Sequence, residues 1–93
     1  YLHLTRENYL EVNMASAKVR LTFPENLIKE PLIYTLGRDF NLITNIRQAN
    51  VDEHVGWVSL ELEGEQQEIQ NGLEWISKKG VRVDLASGDV IDG

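Results

Sequence analysis

Alternation of apolar and polar residues defines four segments of the chain as candidate β-strands. In residues 17–23, apolar side chains occupy every second position, a pattern typical of a strand with one buried face. Residues 41–51 and 54–63 form the second and third candidate strands, and the alternating aliphatic residues of 81–85 predict a fourth. The sequence therefore predicts a four-stranded sheet.

Two further segments carry the spacing of amphipathic helices. The first begins near Pro31, because the fixed φ of proline suits the first helical position, and it ends near Asp39. The second covers residues 65–79 and is followed by Gly80, a residue type that commonly ends helices. The order β-α-β-β-α-β predicts an α+β, ferredoxin-like fold, in which two helices pack on one face of an antiparallel sheet.

The second candidate strand is less regular than the others. Leu42, Ile46 and Ala49 do not share one face of an ideal strand, so either a β-bulge or an early turn is expected there. Gly56 and Gly64 lie near the two ends of the third candidate strand. We interpret both as turn residues.

The sheet face that points away from the helices is predicted to be polar apart from one tryptophan. Trp57 suits two roles equally: an anchor at an interface with another subunit, or a cover for the sheet edge. A polar face can remain in contact with water or pair with a second copy. The residues predicted on this face are Lys18, Arg20, Thr22, Trp57, Ser59, Glu61 and Arg82.

Length and charge narrow the classes of function. A chain of 93 residues suits one domain. Nine basic and fifteen acidic residues give a net charge of −6, which argues against nucleic acid or an anionic membrane surface as the main partner. No apolar run approaches the roughly 20 residues that a membrane helix needs. The chain has no cysteine, which excludes disulfides, thiolate metal sites and iron–sulfur clusters within it and fits a cytoplasmic location.

Three regions follow from the sequence pattern. Residues 1–13 lack a strong period and are interpreted either as an N-terminal extension or as a remnant of expression, because Met14 resembles a translation start. Residues 14–87 form the predicted domain. Residues 88–93 are predicted to be an acidic tail.

No residue set indicates catalysis, a metal ion or a cofactor. His3 and His54 are the only histidines, and they lack the spacing of metal ligands. Four carboxylates are better explained as solvated residues at a strand end and helix start than as paired acid–base catalysts: Glu61, Glu63, Glu65 and Glu68. The sequence therefore predicts a protein that binds or assembles and is not an enzyme.

The order and spacing of several short motifs resemble those of the NIL domain, a family of ferredoxin-like domains in methionine importers and in NIL-type ferredoxins. The resemblance covers residues 19–85, and each motif is weak by itself. The matching motifs include Phe23, Pro31-Leu32, Phe40-Asn41, Asn45-Ile46, Ala49, Asp52, Gly56, the strand end 60–64, the helix from Glu65 to Ile76, and Val81-Arg82-Val83.

The resemblance implies a function for one position in particular. In the importers the NIL domain dimerises and binds methionine, and the first asparagine of the motif that names the family contacts this ligand; its counterpart is Asn45. Arg47 replaces the usual aliphatic residue of that motif. An arginine there cannot line an apolar wall directly, but it can bind a carboxylate with two parallel hydrogen bonds.

Two hypotheses from different classes follow. The first is a regulatory domain that binds an amino acid such as methionine at or near a homodimer interface, through Asn45 and Arg47. The second is a module without a small-molecule ligand that docks a basic protein or a partner from redox or sulfur metabolism.

Overall fold

The computed structural model describes residues 14–85, and the predicted regions 1–13 and 88–93 lie outside these residues. Four strands and two helices follow one another along the described chain, with one short 3₁₀ turn after the first strand. Their bounds are β1 Met14–Phe23, the 3₁₀ turn Glu25–Leu27, α1 Leu32–Asp39, β2 Ile43–Val51, β3 Gly56–Glu65, α2 Gln66–Lys78 and β4 Arg82–Leu85.

The strands form one antiparallel sheet in the order β2-β3-β1-β4. The first strand of the chain thus lies at the centre beside β3, and β2 and β4 form the two edges. The predicted α+β, ferredoxin-like fold is confirmed, because both helices contribute to one core that covers a single face of this sheet.

The core lies between the two helices and the alternate residues of β1 and β3. Leu21, Leu60 and Leu62 come from the sheet, and Leu36 and Ile76 come from the helices; all five side chains are almost fully buried. Within the described residues the core contains no buried polar or charged side chain. Burial of this apolar area is the main force that holds helices and sheet together.

A β-bulge explains the irregular pattern of β2. Ile46 pairs with Leu60 and Gln48 pairs with Ser59, so Arg47 is an extra residue without its own position opposite β3. The extra residue reverses the alternation after it. Ala49 therefore faces the helices as Ile46 does, and of the two expectations for this strand the bulge is the correct one.

The interpretation of Gly56 and Gly64 as turn residues was wrong, because both lie within β3 and are buried. A methyl group on Gly64 would stand 2.7 Å from Cδ2 of Leu42. The absence of a side chain at Gly64 therefore lets Leu42 pack closely against β3, just before the start of β2.

Element ends differ from the prediction by up to three residues. β1 begins at Met14, three residues before the predicted start, and continues to pair with β3 over its whole length. Pro31 is the residue before α1 and not its first helical residue. In α2, Gly72 lies on the buried stripe with Ile69 and Ile76, and Leu73 is only partly buried beside it.

Candidate functional site

The open face of the sheet, which points away from the helices, is built from transverse rows of paired residues. Residues directly opposite each other in an antiparallel sheet point to the same face. The sequence prediction for this face is confirmed by the register. Three successive rows are Asn50-Trp57-Thr22-Arg82, then Gln48-Ser59-Arg20-Asp84, then Asn45-Glu61-Lys18.

The structure brings Asn45 and Arg47 together around one carboxylate. Asn45 lies opposite Glu61 in the register of β2 and β3. Nη1 of Arg47 donates a hydrogen bond of 3.2 Å to Oε1 of Glu61. Both β2 residues are exposed, and the side chain of Glu61 is 22% exposed. This group presents an amide, a cation and an anion beside one another at the edge of the sheet.

Trp57 lies in the middle of the face, on an interior strand, so it does not cover a sheet edge. It is partly buried, and the guanidinium carbon of Arg20 stands 4.1 Å from the centre of its ring. This distance is typical of a cation–π contact. The pair makes a partly apolar surface that connects the row of Trp57 with the row of Ser59.

A wide depression of about 670 Å³ lies at the centre of the open face. The short side chain of Ser59 forms part of its floor, and the longer side chains of Arg20 and Arg47 lie beside it. We call it the Ser59 basin and define it by its polar lining residues Lys18, Arg20, Arg47, Gln48, Ser59 and Asp84. Its lining can donate hydrogen bonds to an anion and accept them from an ammonium group.

Asp84 lines the basin and Glu61 lies one row away from Ser59, and both carboxylates already have cationic partners. Glu61 binds Arg47, and Oδ2 of Asp84 lies 3.0 Å from Nε of Arg82. Arg20 differs from the other arginines of residues 14–85, because its contact is with the Trp57 ring and it has no carboxylate partner among these residues.

His54 lies far from this face, in the turn between β2 and β3. Its Nδ1 stands 3.0 Å from Oε2 of Glu25, and its Nε2 stands 3.9 Å from Oε1 of Glu53. Within residues 14–85, no three side chains of His, Cys, Asp or Glu are placed to hold a metal ion. Neither helix of this part of the chain has the length and apolar character that crossing a membrane requires.

Sequence reasoning placed Arg20, Ser59 and Glu61 on the open face but did not identify them as site residues. The alternation along one strand gives the face of each residue, but it does not say which residue of another strand lies opposite. Asp84 and Gln48 were missed entirely. The shift of Gln48 onto the open face depends on the bulge at Arg47.

The sequence that forms these four strands and two helices matches a known domain family. The NIL domain model matches residues 17–84, and the chain is therefore a member of the NIL domain family.

Relatives with curated descriptions are ATP-binding proteins of methionine import. The chain is 28% identical over 85 residues to methionine import ATP-binding protein MetN of Bacillus subtilis (strain 168), a match over 87% of this chain and 25% of the relative. It is 35% identical over 69 residues to MetN of Francisella tularensis subsp. holarctica (strain OSU18), over 70% of this chain and 20% of the relative. The chain thus spans about a quarter or less of the length of these relatives.

A solved structure has the same fold. The C-terminal domain of an ABC transporter ATP-binding protein from Enterococcus faecalis matches with a TM-score of 0.68 and 23% identity. The match covers 95% of this chain and 98% of that domain. At this identity the likeness supports the fold and nothing finer.

Proposed function

We propose that this domain is a non-catalytic regulatory sensor that binds an amino acid such as methionine next to Asn45 and Arg47, at or near the interface of a homodimer. Membership of the NIL family and the names of the relatives supply the ligand class. A cytoplasmic location is part of the same proposal.

One observation carries this proposal: Asn45, Arg47 and Glu61 meet at the edge of the open face. A free amino acid has a carboxylate and an ammonium group on the same carbon. Arg47 and Glu61 are a cation and an anion 3.2 Å apart, which matches the two charges of such a ligand. The Asn45 amide lies beside them and can both donate and accept hydrogen bonds.

The edge position connects binding to assembly. β2 is an edge strand whose residues 45–51 are all exposed, so its outer backbone groups are available to a second copy. A ligand held between two such edges contacts both copies and stabilises the dimer in proportion to its saturation.

The proposal is tested by calorimetric titration of L-methionine into the wild-type domain and the Asn45→Ala variant. We expect saturable binding to the wild type and a loss of affinity in the variant. Asn50→Ala is the matched control, because Asn50 is an exposed asparagine on the same strand and face, two rows away. Absence of binding by any amino acid contradicts the proposal.

A second candidate function rests on the charge of the chain. A net charge of −6 favours a basic protein as a docking partner, which includes partners from redox or sulfur metabolism. Failure of all amino acids to bind, together with retention of one basic protein on the immobilised domain at physiological salt, would support this candidate over the sensor.

A further inference from the structure

The lining of the Ser59 basin bears on what kind of amino acid the domain binds. The floor presents the hydroxyl group of Ser59, and charged side chains surround it. The aliphatic residues Val58, Leu60 and Leu62 of the same strand point to the opposite, helix-covered face. A ligand side chain that enters the basin therefore meets hydrogen-bonding groups on its floor, and Val19, Leu60 and Leu85 supply the apolar part of the lining.

Arg20 is positioned to bind an anion in this basin. Its guanidinium carbon lies 4.1 Å from the centre of the Trp57 ring, and this cation–π contact restrains the group without using its N–H groups as donors to a carboxylate. Arg47 and Arg82 each bind a carboxylate, whereas Arg20 has no such partner within residues 14–85. A planar guanidinium of this kind is suited to the two oxygens of a carboxylate.

The two carboxylates near Arg20, those of Glu61 and Asp84, are each paired with another arginine. Lys18 and Arg47 line the basin together with Arg20. Asp84 lies opposite Arg20 in the register, but its carboxylate is held by Arg82 at 3.0 Å. Arg20 is thus the arginine of the basin that has no carboxylate partner within residues 14–85.

The distance between the Glu61 row and the Ser59 row fits one small ligand. The row of Glu61 and the row of Ser59 are two residues apart along β3, which corresponds to roughly 6.6 Å. An amino acid whose α-groups bind Arg47 and Glu61 therefore extends its side chain over Ser59 towards Arg20. A short aliphatic chain that ends in a carboxylate spans this separation.

From these contacts we infer that the ligand is an amino acid with a carboxylate in its side chain, such as glutamate, and that Arg20 binds that carboxylate above Ser59. The inference rests on the proposed amino-acid sensor and specifies its ligand class. Under this inference, the row that contains Ser59 and Arg20 determines which amino-acid side chain is bound.

Calorimetric titrations of the wild-type domain with L-glutamate, L-aspartate and L-methionine test the ligand class. We expect an acidic amino acid to bind more tightly than methionine. Arg20→Gln is expected to weaken glutamate binding by about tenfold or more, because it removes a charge-assisted hydrogen-bonded pair. Methionine binding by this variant should change little, since methionine has no side-chain carboxylate.

Arg38→Gln is the matched control. Arg38 is also exposed and lies 5.3 Å from the ring of Tyr34, but it belongs to α1 on the other side of the sheet. Ser59→Tyr provides a second variant that fills the basin and suits a strand; it should abolish glutamate binding. Circular dichroism and thermal melts verify that each variant is folded.

The outcomes separate this inference from the proposed function. Methionine binding that exceeds glutamate binding and is unchanged in Arg20→Gln overturns the inference and leaves the sensor intact. Glutamate binding that survives unchanged in both Arg20→Gln and Ser59→Tyr also overturns it. No binding by any amino acid overturns the inference and the proposed function together.

Discussion

The side-chain partners of single residues in this domain are set by the strand that lies beside them. Arg47 is the extra residue of a bulge, and the geometry brings its guanidinium to Glu61 on the adjacent strand. Arg20 is ordered by an aromatic ring, not by a carboxylate. The two arginines therefore differ in what they can bind: Arg47 is already paired with Glu61, whereas Arg20 can still donate hydrogen bonds to an anion.

The role of Gly72 also depends on its neighbours, because at this position α2 passes close to α1 in the core. A methyl group at this position would stand 2.8 Å from Cδ1 of Leu36 and 3.3 Å from Cδ1 of Leu42. Leu36 is fully buried and has little space into which it can move.

We expect Gly72→Ala to lower the free energy of unfolding by about 1 kcal/mol. Alanine favours the helix by about 1 kcal/mol, but overpacking of a filled core costs about 1–3 kcal/mol. Urea denaturation measures the difference. Gln70→Ala, an exposed position on the same helix, should stay within about 0.5 kcal/mol of the wild type. A more stable Gly72→Ala variant would show that the helices separate easily.

At the scale of elements, the turn between β2 and β3 contributes to the register on which the candidate site depends. Oδ1 of Asp52 accepts hydrogen bonds from the backbone N–H groups of His54 at 2.8 Å and Val55 at 2.7 Å. Both bonds lower the pKa of the Asp52 carboxyl group from its ordinary value of 3.8, and the bond from Val55 has the larger effect. The turn is thus held by a charged acceptor.

The pH dependence of stability follows from the direction of this shift. A carboxyl group with a lowered pKa in the folded state stabilises the protein above the unfolded-state pKa, and this contribution is lost as the pH falls through the folded-state pKa. We expect Asp52→Ala to be less stable than the wild type at neutral pH, with a difference that shrinks as the pH falls below about 4. Urea midpoints across this range measure the effect.

Glu53→Ala serves as the control for Asp52→Ala. It removes the same charge from an adjacent, exposed position of the turn. Equal stability losses in the two variants at neutral pH would mean that the loss of a charge, and not of the capped turn, is responsible.

At the scale of the whole molecule, the two edges of the sheet differ. β4 is only four residues long, whereas β2 has nine residues and carries the exposed side chains of Ile43, Ile46 and Val51. A long edge strand with exposed β-branched residues is a surface on which another strand can pair. This asymmetry favours β2 as the contact in the proposed symmetric dimer.

We expect the wild-type domain to have the mass of a dimer in light scattering and Ile46→Lys to have the mass of a monomer, because an edge lysine opposes strand pairing. Ile46 is 59% exposed, so the substitution does not disturb the core. Tyr34→Lys, at a 65% exposed position of α1, is the control and should remain a dimer. A monomeric wild type over a wide concentration range contradicts this prediction.

The amino-acid sequence by itself determined the type and order of the elements and the face on which each residue of β1 and β3 lies. These properties follow from local periodicity, since alternate residues of a strand point to opposite faces and one face has to be buried. The resemblance to the NIL family also selected Asn45 and Arg47, and the structure places both at the same edge. Their roles in binding stay predictions.

Only the tertiary structure decided which residues of different strands meet. The bulge at Arg47 was one of two expectations from the sequence, and it alone moves Gln48 to the open face and aligns it with Ser59, Arg20 and Asp84. The packing role of Gly64 under Leu42 was likewise hidden, because a glycine near a strand end is also typical of a turn. Side-chain neighbours across a sheet depend on register, and register is fixed by the turn, the bulge and core packing together and not by any one segment.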